Sequence, residues 1–283
     1  MTEVTWNELW EQTATAVGDR RHARWLCEVA SAATSGDEFL GRLDEPATVR
    51  MVAHLDAMVV RVRSGEPLQY VLGEWSFRRI ELAVDRRALI PRPETELVVE
   101  AALEKLDEAG PTRAVADLGT GSGAIGLSLA AELPLDGTTV WITDANPDAL
   151  ELARANVAGV GRGATNVRVE LGSWFEALPA GVAFDAIVSN PPYVADGSPD
   201  LDPSVLDWEP AAALFAGPDG LDDIRHLVAG APAHLVPGGW LIMEIGADQG
   251  PAVRALLESA GYREVGIRRD LAGHDRIALG RRP

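Results

Sequence analysis

Asn190-Pro191-Pro192-Tyr193 is the stretch of this sequence best suited to chemistry. Asn190 precedes a proline, which biases its backbone toward extended conformations. Pro191 and Pro192 are stiff and carry no N–H. Pro191 can therefore present its carbonyl without a competing donor beside it, and the Asn190 side chain supplies a second carbonyl acceptor. Two acceptors match the two N–H bonds of a primary amide or an arylamine, and Tyr193 can lie against the flat face of that group. An amide nitrogen is a poor nucleophile because its lone pair is delocalised. Two aligned hydrogen bonds draw electron density onto it, favour pyramidalisation and aim the lone pair at an electrophile. No catalytic base is required, because the proton leaves after transfer, when the nitrogen has become cationic and acidic.

A second motif supplies a place for the electrophile. Asp117-Leu118-Gly119-Thr120-Gly121-Ser122-Gly123 lies between an apolar run and a helical pattern. Its glycines allow a tight turn and a close backbone approach, and the helix N-terminus at Gly123 offers free N–H groups. Gly121-Ser122-Gly123-Ala124-Ile125-Gly126 also satisfies the dinucleotide pattern G-x-G-x-x-G. Asp144 ends the next apolar run, where a carboxylate accepts from two ribose hydroxyls of either NAD or S-adenosylmethionine; capping the helix that opens at Pro147 is its alternative role. Trp174 and Phe175 follow the third run, at the level of an adenine ring. For Trp174 a ligand contact and a core position are both open. The two motifs together suggest methyl transfer to an amide or amino nitrogen.

The elements that must position these residues follow from periodicity. Apolar runs near 114–118, 139–143, 166–170, 184–189, 239–245, 263–269 and 275–279 alternate with helical patterns near 123–132, 147–158, 220–235 and 248–260. This alternation predicts an α/β fold: a mostly parallel sheet of seven strands with helices on both faces, and ligands at the carboxyl ends of the strands. Residues 1–72 read as a small helical bundle. In it Trp6, Leu9, Trp10 and Val17 share one face and Met51, Leu55, Met58 and Val62 another. Between the two, residues 73–90 predict a β-hairpin through Phe77, Ile80, Leu82, Val84 and Ile90, turning at Asp85-Arg86. Pro91 and Pro93 stiffen the entry to a helix that begins near Thr95.

Composition narrows the substrates. The chain has 283 residues, 47% of them hydrophobic, enough for a sizeable core. Its formal charge of −18 opposes phosphate backbones, so a protein or small-molecule substrate is favoured over DNA or RNA. One cysteine, Cys27, excludes an internal disulfide. It lies in the stripe Ala23, Leu26, Cys27, Ala30, which predicts a buried thiol in a protein of a reducing, cytoplasmic compartment. No signal-peptide pattern and no membrane-spanning run is expected. His22, His54, His226, His234 and His274 show no metal-ligand spacing, so no metal is expected.

These residues resemble the bacterial release factor glutamine methyltransferase family. The similar stretches are Gln69 to Gly73, Ile90 to Glu96, Asp117 to Ile125, Ser189 to Val194, Glu209-Pro210, and Glu244-Ile245-Gly246 followed by Asp248-Gln249. Asn-Pro-Pro-Tyr alone is shared with adenine-N6 and guanine-N2 methyltransferases; its combination with Pro91-Arg92-Pro93-Glu94-Thr95-Glu96 is far more specific. The resemblance implies a substrate-docking helical domain over 1–72, a hairpin linker over 73–90 and a seven-stranded, Rossmann-like methyltransferase domain over 91–283. It implies S-adenosylmethionine at Gly119, Thr120, Gly121, Ser122, Gly123, Asp144, Trp174 and Asn190. It implies the substrate glutamine at Asn190, Pro191, Pro192 and Tyr193, with Asn190, Pro191 and Tyr193 catalytic, and class I peptide chain release factors as partners of a monomeric enzyme. Asn146, two residues after Asp144, where the family often has serine, and Gly172-Ser173 before Trp174, where an acidic residue is common, depart from the family. The enzymatic alternative is a nucleic-acid adenine or guanine amino-methyltransferase, which needs the same acceptors plus a basic groove. A non-catalytic cofactor-binding protein would have no use for an intact Asn-Pro-Pro-Tyr.

Overall fold

Polar caps and apolar stripes divide the first quarter of the chain into short helices. The computed structural model describes residues 4–107, 110–199 and 203–283. The chain falls into two compact units: residues up to Glu74 together with Pro203–Trp208, and Trp75–Asp202 together with Glu209–Pro283. Residues 1–3 of the expected N-terminal bundle lie outside the described residues.

The first unit contains α1 (Trp6–Val17), α2 (Arg20–Ala30), α3 (Gly36–Gly41), α4 (Val49–Arg63) and α5 (Leu68–Leu72). Thr5 and Glu8 form a reciprocal capping box on α1, and Asp19, Ser35 and Thr48 cap the next three helices through their side-chain oxygens. The apolar faces meet in one core of Trp6, Leu9, Leu26, Cys27, Phe39, Leu55 and Met58, with Trp10, Val17, Met51 and Val62 packed on its edge. Cys27 is fully buried there, and burial pushes its thiol up to about 12.

The second unit opens with the hairpin β1 (Glu74–Phe77) and β2 (Ile80–Ala83), and begins its α/β part with α6 (Glu96–Asp107). Then come β3 (Arg113–Leu118), α7 (Ala124–Glu132), β4 (Thr138–Asp144), α8 (Pro147–Val160), β5 (Val167–Leu171) and β6 (Phe184–Ser189). After α9 (Pro203–Trp208), which groups with the first unit, the chain continues through α10 (Asp222–Gly230), β7 (Leu235–Glu244), α11 (Gly250–Ser259), β8 (Arg263–Arg269) and β9 (Asp275–Arg281). Among the described residues the main sheet has seven strands in the order β5-β4-β3-β6-β7-β9-β8. Neighbours from β5 to β7 pair parallel, whereas β9 runs antiparallel to both β7 and β8.

This order places the site. From β3 the chain winds outward to β4 and β5, then returns to β6 on the other side of β3 and winds outward to β7. The reversal falls between β3 and β6, and crevices at such switch points bind ligands at the carboxyl ends of the strands. The glycine turn leaves the end of β3, and Asn190 leaves the end of β6. Both strands are nearly all buried, as their continuous apolar runs require.

Three local expectations are corrected. The hairpin turns at Arg78-Arg79, not at Asp85-Arg86. Arg78 takes a left-handed φ of +50°, and its guanidinium pairs with Glu132 while its N–H donates to Glu96. These partners lie far along the chain, so no local turn chemistry announces the turn. Asp85 forms a separate turn by accepting from the N–H of Arg87. The helix expected over 220–235 ends at Gly230, because Pro232 follows in a single 3-10 turn. Helix α9 had no counterpart in the periodicity.

Candidate active site

The turn after β3 is shaped by left-handed glycines and one buried acid. Gly119, Gly121 and Gly123 have φ of +70°, +56° and +92°, a conformation that other residues rarely adopt. Gly126 sits one turn into α7, where an added Cβ would lie 2.2 Å from Ile142 Cγ2. The helix can therefore lie directly on the sheet, the packing role of the third glycine in such turns. Asp117, fully buried at the end of β3, accepts from the Thr120 hydroxyl at 2.5 Å and from the Gly126 N–H at 2.9 Å. Burial, with a smaller contribution from nearby Asp144, pushes its carboxyl up to about 7 against these hydrogen bonds. The Asn156 carboxamide, on α8, donates to the Ser122 carbonyl at 2.8 Å and also pairs with both backbone groups of Ala83, tying the turn to β2.

A cavity of about 310 Å³ opens beside this turn. Gly119, Thr120, Gly121, Ser122, Asp144, Trp174, Asn190 and Pro192 all line it. Asp144 accepts from the N–H of Gly121 at 2.9 Å and of Asn146 at 2.8 Å. The cap of α8 is Asn146, which accepts from Asp148, so the helix-cap alternative for Asp144 falls away. The Trp174 ring lies against Gly119, where an added Cβ would meet it at 3.4 Å. Trp174 holds a left-handed φ of +47°, a strained conformation for an aromatic residue. Burial raises the carboxyl of Asp223, also on the cavity wall, and the Trp174 side chain opposes this, while the Trp174 ring packs on the core beneath. Trp174 thus stands on the cavity wall and also packs on the core. Phe175 instead stacks on His234, with ring centroids 4.9 Å apart.

Gly123, Pro191 and Tyr193 adjoin lining residues in the chain but are not among them. Gly123 caps α7. The Tyr193 hydroxyl donates to Glu244 Oε1 at 3.0 Å, and its carbonyl accepts from Gln249 Nε2 at 2.9 Å. Tyr193 is therefore anchored at both ends. The Asn190 amide donates to Thr95 Oγ1 at 3.2 Å, and the Thr95 hydroxyl donates to Glu244 Oε2 at 2.6 Å. Burial raises the Glu244 carboxyl above the usual range and Glu94 adds to this, while the Thr95 and Tyr193 hydrogen bonds and the Arg276 charge pull it down. From the other side, Arg92 pairs with the buried Glu209, which also accepts from the Ile90 N–H. This clamp holds Ile90, Pro91 and Pro210 at the cavity wall.

Sequence reasoning gave no role to the supporting layer of Thr95, Asn156, Glu209, Glu244 and Gln249, although all but Asn156 lie in the stretches that carry the family resemblance. Glu244 also shows as a polar residue closing the apolar run Leu241-Ile242-Met243.

A family model described as the methyltransferase small domain matches residues 95–204. The chain is 46% identical to the release factor glutamine methyltransferase of Xylella fastidiosa (strain Temecula1) over 85% of each chain. It is 45% identical to that of Vibrio cholerae over 81% of this chain and 78% of the relative. Among solved structures, a T. thermophilus 16S rRNA N2 G1207 methyltransferase in complex with AdoMet and guanosine superimposes with a TM-score of 0.51 at 22% identity, covering 74% of this chain and 50% of that one. That likeness is one of fold. No helix among the described residues is long and apolar enough to cross a membrane.

Proposed function

The chain belongs to the release factor glutamine methyltransferase family, and we propose that it methylates the side-chain N5 of the glutamine in the Gly-Gly-Gln motif of class I release factors, with S-adenosylmethionine as donor. One observation carries this reading: Asn190 and Pro192 line the same cavity as the glycine turn, Asp144 and Trp174. The residues present fit the cofactor. Gly119 and Gly121 leave open backbone on the cavity wall, at φ of +70° and +56° that other residues rarely adopt. Asp144 keeps lone pairs beyond the two backbone N–H groups it accepts. When bound, S-adenosylmethionine supplies a methyl group on a positively charged sulfonium.

The protein's own residues do the rest by position and electrostatics. With the cofactor bound, Asp144 would hold the ribose hydroxyls and Trp174 would pack on the adenine. The Asn190 side-chain carbonyl and the Pro191 carbonyl each accept one N–H of the substrate amide. The pair fixes the plane of the amide and enriches its nitrogen in electron density. Pro191 and Pro192 stiffen the backbone that presents these acceptors, and the anchored Tyr193 keeps the strand end from shifting. After transfer the nitrogen carries a positive charge, and its proton passes to water.

The net charge of −18 sets the reading apart from a nucleic-acid amino-methyltransferase, which gains affinity from basic surfaces. The test is incubation with methyl-labelled S-adenosylmethionine and purified release factor, followed by mass spectrometry to locate the label. Label on the Gly-Gly-Gln glutamine supports the reading. Label on adenine-containing oligonucleotides, with none on release factor, overturns it.

A further inference from the structure

The Asn190 carboxamide has two ends of nearly equal size, and only one serves the reaction. Its oxygen accepts an N–H of the incoming amide; its NH2 would meet that amide donor against donor. The surrounding hydrogen bonds choose between the two. A threonine hydroxyl has a single proton to donate. Thr95 donates it to Glu244 Oε2, 2.6 Å away. Only lone pairs then remain toward Asn190, and only the Nδ2 end can meet them, as it does at 3.2 Å. Glu244 accepts from Tyr193 with its other oxygen at 3.0 Å, so both of its oxygens act as acceptors. The three partners come from different elements: Thr95 from the turn before α6, Asn190 from the end of β6, and Glu244 from the end of β7. Glu244 and Thr95 are 1% and 3% exposed, so water does not compete for these bonds.

We propose that Glu244, acting through Thr95, sets the orientation of the Asn190 carboxamide, and that both are positioning residues for methyl transfer. The proposal rests on the reading of Asn190 as a substrate acceptor. Without the relay the carboxamide rotates between its two faces, and only a fraction of enzyme molecules presents an acceptor. The same carboxylate holds the Tyr193 hydroxyl, so one buried group governs both ends of Asn190–Tyr193.

The test compares wild type with Thr95→Val, Thr95→Ser and Glu244→Gln in the full chain, measuring kcat and KM on purified release factor and cofactor Kd by calorimetry. Valine keeps the shape of threonine and removes the hydroxyl; serine keeps the hydroxyl. For Thr95→Val, kcat should fall roughly 10- to 100-fold, since misplacement of a reacting group carries losses of that order. Its cofactor Kd and release factor KM should stay within about twofold of wild type, the signature of an interaction felt in the transition state. Thr95→Ser should restore most of kcat. In Glu244→Gln one of the two hydroxyls faces an NH2, so kcat should fall while cofactor Kd holds; this variant carries the test if Thr95→Val does not fold. Wild-type kcat in Thr95→Val, or a Thr95→Ser no faster than Thr95→Val, overturns the proposal. A wild-type enzyme that leaves release factor unlabelled is a different result, and it refutes the functional reading instead.

Discussion

The Gly121 N–H donates to the Asp144 carboxylate at 2.9 Å, so the glycine turn and the acid at the end of β4 form one unit. The helix that follows is capped by Asn146 and does not depend on Asp144 for its cap. Replacing Asp144 by alanine should therefore damage ligand binding far more than folding. Charged hydrogen bonds contribute about 1.5–3 kcal/mol each, so losing the ribose contacts should raise the S-adenosylmethionine Kd at least roughly tenfold. Asn146→Ala should do the reverse, costing about 1 kcal/mol of stability with little change in Kd. Calorimetry and denaturant titration on both variants check the pair. Unchanged cofactor affinity in Asp144→Ala would contradict the assignment.

Asn156 supports the same turn from α8. It is 3% exposed and bonds Ser122 and both backbone groups of Ala83. Asn156→Ala leaves those buried groups unpaired, at a cost of about 1–3 kcal/mol for each that water cannot reach. The expected outcome is a lower denaturant midpoint together with weaker S-adenosylmethionine binding, because Ser122 lines the cavity. A variant with wild-type midpoint and affinity would remove Asn156 from the account.

The contrast between these two residues shows what the sequence makes legible. The glycine turn, Asp144 and Asn190–Tyr193 stand out because their geometry is local: the turn needs its glycines within a few residues, and the proline pair acts on its own neighbours. The central strands β3 and β6 stand out because each is a nearly continuous buried run. Asn156, Thr95 and Glu244 act across 73, 95 and 149 residues of chain, to Ala83, Asn190 and Thr95 respectively. No local pattern encodes partners at that distance. The hairpin turn at Arg78 fails for the same reason, since Glu96 and Glu132 hold it from elsewhere. Trp174 stays open between two roles in the sequence because a position at the strand end allows both; in the fold its ring lines the cavity and packs on the core.

Asp117 makes stability depend on pH. Burial holds its carboxyl at about 7 in the folded protein, against an ordinary value of 3.8. Between these values the native state binds more protons than the unfolded chain. The contribution of Asp117 is therefore fully present below 3.8 and is lost as pH rises through about 7. At 1.36 kcal/mol per pKa unit, the loss amounts to roughly 4 kcal/mol. Asp117→Asn removes the titration. The unfolding free energy of wild type minus that of Asp117→Asn should therefore decrease between about pH 4 and pH 8, with other titrating groups cancelling in the difference. Denaturant titrations across that range check it, and a difference that stays flat or rises would contradict the buried, proton-binding role.

The central claim is that Asn190 accepts a hydrogen bond from the glutamine amide as the methyl group moves. The most direct measurement is a single-turnover methylation of purified release factor by Asn190→Ala, at saturating labelled S-adenosylmethionine and with cofactor Kd measured in parallel. Removing one preorganised hydrogen bond to the reacting group typically costs 10²–10³ in rate, about 2.7–4 kcal/mol. The account predicts a transfer rate lower by that factor with cofactor binding largely retained, because the glycine turn, Asp144 and Trp174 remain in place. A variant that binds S-adenosylmethionine and transfers methyl at close to the wild-type rate would contradict it.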